Sequence, residues 1–176
     1  MSYCDFVKTL PKDNVHRVYH DFHYGFPINN DDELFERFVL EINQAGLSWD
    51  TILKKQENFR NAYSHFNIRK VAGYKEKDIN RLLGDAGIIR NSLKIHAAIY
   101  NAQQILVLQK DFGSFKQWLD FHAGFTKEEW VRLFRTTFHF TGGEIVGEFL
   151  MSTGYLGGAH VPDCSVYKKL SKMKKG

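Results

Sequence analysis

The stretch EKDINRLLGDAGIIRNSLKIHAAIYNAQQIL, residues 76–106, reads as a short helix, a tight turn from Gly84 to Gly87, and a longer helix from about Ile89. The glycines supply the backbone freedom that a sharp reversal needs. Amides at the start of the second helix can point at a phosphate, where the helix dipole favours negative charge and the contact ignores base sequence. Gly84, Gly87 and Ile88 are the candidate backbone contacts, and Arg90 and Lys94, a turn apart, could add charge. An ordinary pair of antiparallel helices closed by a glycine C-cap has the same local pattern.

The chain around this hairpin also reads as helical. All three prolines, Pro11, Pro27 and Pro162, lie near the ends, so nothing interrupts helix formation across the long middle. Asn30 or Asp31 can cap a helix in which Leu34, Phe38 and Ala45 mark an apolar stripe ending near Gly46. Glu41 falls on that stripe. Ser48 then offers an N-cap with Asp50 in the first turn, and Trp49, Ile52, Leu53, Phe59 and Tyr63 suggest the next helix. Helical fragments follow at Phe115 to Phe121, at Lys127 to Phe134 and within GGEIVGEFLMSTGYLGG, ahead of HVPDC and a basic tail, residues 167–176, expected to be solvated and partly disordered. The expected fold class is all-α.

A chain of 176 residues with 43% hydrophobic and 15% aromatic content lies within the range of one domain and excludes a disordered polymer. No stretch approaches a membrane span, and the N-terminus lacks the apolar core of a signal peptide, so a soluble cytoplasmic monomer is expected. A net charge of +4 permits a polyanionic partner without demanding one.

Two groups of residues could carry chemistry. His160 and Cys164 are four apart, but two ligands cannot fill a tetrahedral zinc shell. Cys4 is one candidate for a third, and VYHDFHYGFP offers His20 and His23 for a fourth; Cys4, His20, His160 and Cys164 together would clip the two ends of the chain. A lone HxxxC pair is more often an ordinary cysteine and a surface histidine. Glu41 is the second group, because an unpaired carboxylate in an apolar setting costs several kcal/mol or takes up a proton. A backbone amide or a lysine would satisfy it structurally. Tyr19, Tyr24 and Trp49, near it in sequence, offer flat faces instead, and a carboxylate between aromatic walls suits a planar, electron-poor or cationic ligand such as a damaged nucleobase.

Taken together, YHDFHYGFP (19–27), LEINQAGLSWDTILKKQENFR (40–60), LLGDAGIIRNSLKI (82–95) and HVPDC resemble the DNA-3-methyladenine glycosylase I family, zinc-containing members of the helix-hairpin-helix glycosylase superfamily. The resemblance implies a helix-hairpin-helix fold, a structural Zn2+ on Cys4, His20, His160 and Cys164, and excision of 3-methyladenine from alkylated duplex DNA by hydrolysis of the N-glycosidic bond. It places Glu41 as the catalytic carboxylate that accepts hydrogen bonds from a flipped base, with Tyr19 and Trp49 stacking on it. It also implies no catalytic Asp after the hairpin, and Asp111 lies in a region that matches poorly.

Several positions depart from the family pattern. HDFHYG stands where HDNEWG is usual, so His23 replaces an acid and Tyr24 replaces a Trp while keeping an aromatic face. His16 stands where a Tyr is common, and Glu144 where small hydroxyl residues are favoured. These changes touch base specificity more than fold. They leave two alternatives beside the main expectation: a damaged-DNA-binding module without catalysis, and a glycosylase with a shifted lesion preference.

Overall fold

The structure, a computed structural model, describes residues 1–176 and contains helices and no strand. In chain order these are α1 (Tyr3–Lys8), α2 (Val15–Phe22), α3 (Asp31–Gln44), α4 (Trp49–Lys54), α5 (Gln56–Ala62), α6 (Ile68–Ala72), α7 (Glu76–Leu83), α8 (Ser92–Phe112), α9 (Phe115–Phe121), α10 (Lys127–Thr137), α11 (Gly143–Ser152) and α12 (Ser165–Lys174), with a 3-10 turn at Ser64–Phe66. The chain divides into two compact units: residues 28–149, and a unit assembled from residues 1–27 and 150–176.

In the larger unit α3 is the organising helix. Asn30 caps it through the Glu33 amide, and Leu34, Phe35, Phe38, Val39 and Ile42 are buried. Phe38 meets Phe134, Phe138 and Phe149 at ring separations of 5.6, 5.1 and 5.2 Å, each such pair adding about 0.5–1.5 kcal/mol beyond the area it buries. The acids of its first turn serve other helices. Asp31 accepts from the Phe115 and Lys116 amides at the start of α9 (2.9 and 3.0 Å) and from Gln109 of α8 (2.8 Å), and Asp32 accepts from the Ile68 amide at the start of α6 (3.2 Å). Backbone donors that helix ends would otherwise orphan are thereby paired.

The chain leaves α3 through Gly46, which has φ +81°, and Ser48 caps α4 as its place in QAGLSW suggested. The helix expected from Trp49 to Tyr63 is two helices, broken at Lys55. Next come three consecutive residues in the left-handed region, Ser64, His65 and Phe66, with φ of 55°, 53° and 56°. Each costs about 1–2 kcal/mol. Full burial of Phe66 beneath the Tyr63 ring (5.6 Å, 7° between planes) and a 2.6 Å bond between the Ser64 and Tyr74 hydroxyls hold the turn in place.

The hairpin joins α7 to α8, which also packs on α3, α6 and α9. Its glycines act differently from the expectation. Neither Gly84 nor Gly87 has a positive φ. Gly87 is closely packed instead, since a Cβ there would lie 3.0 Å from Asp85 Oδ1 and 3.1 Å from the Asn58 side chain. α8 begins at Ser92 rather than near Ile89, because Asn91 turns its side chain onto the Lys94 amide (3.1 Å) and fixes the cap there.

The unit built from both chain ends holds α1, α2 and α12. The tail expected to be solvated and partly disordered carries α12, because the basic composition hides a stripe: Val166 is buried and Leu170 packs with it against Cys4 and Cys164. Lys169 lies 5.5 Å over the Phe26 ring.

Candidate functional site

In the unit built from the two chain ends, Cys4 of α1, His20 of α2, His160 and Cys164 come together. All four are buried, and their ligand atoms lie within 4.8 Å of one another. Each histidine has one nitrogen fixed from outside. His160 Nε2 donates to the Tyr24 carbonyl (2.6 Å), and His20 Nδ1 donates to the Asp21 carboxylate (2.7 Å). Their other nitrogens, both lone-pair bearing, then face each other at 3.2 Å and cannot hydrogen-bond to one another.

The Cys4 and Cys164 sulfurs, 3.6 Å from His160 Nδ1 and 3.8 Å from His20 Nε2, complete the inner set, and its spacing suits a cation. Zinc bond lengths in a tetrahedron give edges of about 3.3 Å between nitrogens and about 3.6 Å between nitrogen and sulfur. The observed edges are 3.2 Å for His20 to His160, 3.6 Å for Cys4 to His160, and 3.8 and 3.9 Å from Cys164 to His20 and His160. Burial lowers the pKa of His160, keeping it in the neutral form a metal requires. It pushes the Cys4 thiol up, an effect a bound cation reverses. The group can therefore hold a metal joining the N- and C-terminal segments.

The support of this cluster went unread in the sequence. Arg17 donates to Asp21 (2.9 Å) and to the Val7 carbonyl (3.2 Å), tying the carboxylate behind His20 to the end of α1. Burial raises the Asp21 pKa, but bonds from His20 and Arg17 outweigh it and hold the carboxyl below its usual range. Gly25, with φ +83°, lies against the His160 ring: a Cβ would stand 3.2 Å from Cδ2 and 3.0 Å from the Ala159 Cβ. The Asp beside His20 and the Gly after Tyr24 were the available signals. His23, the other candidate ligand, is the C-cap of α2 and is not in the cluster.

The aromatic candidates in this unit lie close by. Tyr19 and Tyr24 are buried with rings 5.5 Å apart, and Tyr24 also packs 5.4 Å from His160. His16 is buried, its Nδ1 3.0 Å from the Tyr3 hydroxyl and its ring 5.9 Å from that of Tyr3. Tyr24 thus serves the metal cluster through its carbonyl whatever its ring does.

In the larger unit Glu41 is 4% exposed on α3. Burial pushes its carboxyl up to about 8, the like charge of Glu148 adds to the effect, Arg37 opposes it, and no hydrogen bond from the protein contributes. Glu148 is itself raised, first by burial and then by Glu144, against Lys127. Trp49, half-buried, opens α4 just past the Gly46 corner. A proton-hungry carboxyl with no internal partner is one poised to bind a cationic or N–H-bearing group.

A family model described as methyladenine glycosylase matches residues 9–132. The chain belongs to this family. It is 43% identical over 111 residues to DNA-3-methyladenine glycosylase 1 of Escherichia coli (strain K12), covering 63% of this chain and 58% of that protein. It is 38% identical over 97 residues to DNA-3-methyladenine glycosylase of Haemophilus influenzae, covering 55% and 52%. The matched stretch thus spans little more than half the length of these two relatives. A crystal structure of a Tyr-to-Phe variant of a 3-methyladenine DNA glycosylase I in complex with 3-methyladenine superposes with a TM-score of 0.83 at 31% identity, over 95% of this chain and 98% of that one.

Within this chain the hairpin residues do not share one role. Gly84 and Arg90 are exposed. The Gly87 amide donates to Asp85 Oδ1 (2.8 Å) and the Ile88 amide to the Asp85 carbonyl (3.4 Å), while the Ile88 side chain is buried. Lys94 corrects the expectation outright. It is 5% exposed, and its ammonium donates to the carbonyls of Asn43 (2.9 Å) and Ala45 (2.8 Å) at the end of α3. A cation at a helix C-terminus is favoured by the dipole and satisfies orphan carbonyls, so Lys94 clamps α8 to the Glu41 helix instead of meeting a phosphate.

Proposed function

We propose that the chain is a DNA base-excision glycosylase that hydrolyses the N-glycosidic bond of 3-methyladenine, acting as a cytoplasmic monomer on duplex DNA with alkylated purines. The observation that carries this reading is Glu41: a buried carboxyl without an internal hydrogen bond, in a family whose relatives are named for that base. Methylation at N3 leaves the bound base cationic. The C1′–N9 bond then breaks with its electron pair moving to the base, neutral 3-methyladenine leaves, C1′ takes the oxygen of water, and the water proton passes to solvent. Glu41 need not protonate the base; it accepts hydrogen bonds from the extruded base and favours its positive charge. The cation draws Glu41 back to carboxylate, so binding releases a proton below pH about 8 and strengthens as pH rises towards that value.

On the strength of the family resemblance, Tyr19, Tyr24, Trp49 and His16 are the base-binding side chains, and exposed Gly84 and Arg90 meet the DNA backbone. Gly87 and Ile88 act by shaping the turn. The metal would be zinc, held by the thiolates of Cys4 and Cys164 and the imidazoles of His20 and His160, and it would supply folding energy and no chemistry.

The test is to incubate the folded, zinc-loaded protein with methylated duplex DNA and identify free bases by chromatography. Release of 3-methyladenine, weakened in Glu41→Gln and further in Glu41→Ala, is expected. Duplex binding without base release would overturn the glycosylase reading, and undiminished release by both variants would remove Glu41 from it.

A further inference from the structure

We infer that α12 is a DNA-contacting element, with Lys168, Lys172 and Lys175 lying along the phosphate backbone; the inference rests on the reading of the chain as acting on duplex DNA. Charge is the first observation. Residues 165–176 hold five lysines, Lys168, Lys169, Lys172, Lys174 and Lys175, and no acid. The whole chain has 24 basic and 20 acidic residues, so without these five the remaining 19 basic residues are outnumbered. The entire net positive charge of a protein that must approach a polyanion is thus on one helix.

Geometry is the second observation. Lys168 and Lys172 of α12 and its C-cap Lys175, which keeps a helical backbone, are spaced by four and three residues and share one face, all exposed. Buried Val166 and half-buried Leu170 lie on the opposite face, against Cys4 and Cys164. Cys164 is itself the residue from which α12 starts. The basic face is therefore held by a packed apolar face and by a candidate metal ligand, which distinguishes it from a frayed charged tail. From the first to the third lysine the helix rises about 10.5 Å, close to the axial rise of about three phosphates along one strand.

A triple variant, Lys168→Gln with Lys172→Gln and Lys175→Gln, removes the charge from exposed positions and should keep the metal content and melting temperature of the parent. Binding to undamaged duplex would be measured across a salt series, with excision kinetics alongside. Loss of three phosphate contacts should flatten the slope of log K against log salt by about 2.7. KM for methylated duplex should rise at least tenfold with kcat unchanged, because the contacts are made equally in ground and transition states. An unchanged slope in a variant that still excises base would overturn the inference and leave the glycosylase reading intact. A parent that neither binds duplex nor releases base would overturn that reading first. Binding of the parent, but not the variant, to phosphatidylserine vesicles, with the DNA slope unmoved, would assign the helix to a lipid surface instead.

Discussion

The two buried polar sites of this molecule are built on opposite terms. Around Cys4, His20, His160 and Cys164 every outward-facing polar atom has a partner: the Tyr24 carbonyl holds one imidazole, Asp21 holds the other, and Arg17 holds Asp21. What remains inside are two imidazole nitrogens and two thiols, a donor set that suits a single cation. Glu41 is equally buried but has no such support, and the groups acting on it are a like charge from Glu148 and an opposing one from Arg37. A site that is oriented from every side serves the fold, whereas one that leaves a carboxyl poised and unbonded keeps its interaction energy for a ligand.

The sharpest way to break the comparison is Cys164→Ser. Loss of the metal should cost on the order of 10 kcal/mol of folding free energy, read as collapse of the thermal transition with loss of bound zinc. A metal-free preparation with the melting temperature of the parent would show the cluster is not structural. Glu41→Gln should act the other way. The folded carboxyl titrates near 8 against a reference of 4.5, so the folded state binds the proton more tightly and the parent loses stability as pH rises between those values. Relative to the parent, the variant should gain nothing below pH about 4.5 and on the order of a few kcal/mol above pH about 8, measured by denaturation at both ends. Equal stability at both would mean Glu41 has a partner in solution.

Lys94→Met tests whether support also reaches the Glu41 helix. It should lower stability by about 2–3 kcal/mol by orphaning the Asn43 and Ala45 carbonyls, in a urea titration with unchanged slope. Asp21→Asn is the mildest change. Weaker orientation of His20 should reduce zinc affinity about 10- to 100-fold in competition with a chelator, leaving the fold intact at saturating zinc.

Much of the fold was legible because its signals are local. Asn30 and Ser48 cap the helices they precede, and the glycines flanking Asp85 and Ala86 fall in the break between α7 and α8. Glu41 stood out for the same reason: a charge on an apolar stripe is visible within one helix. Lys94 was misread because its partners lie 51 and 49 residues earlier in the chain, and nothing near it announces two carbonyls in need of a donor. The tail was misread because composition outweighed the spacing of Val166 and Leu170. The cluster residues come from both ends of the chain, so spacing pointed to His160 and Cys164, could only offer Cys4 and His20 as candidates beside them, and left the resemblance to imply the full set.

The left-handed turn at Ser64–Phe66 inverts the usual rule of substitution. Elsewhere in a helical protein glycine is the residue that loosens the chain, but exposed His65 carries a side chain in a backbone geometry that favours none. Along that single turn the molecule is folded in mirror image, and the residue that would weaken any neighbouring helix is the one that fits there best.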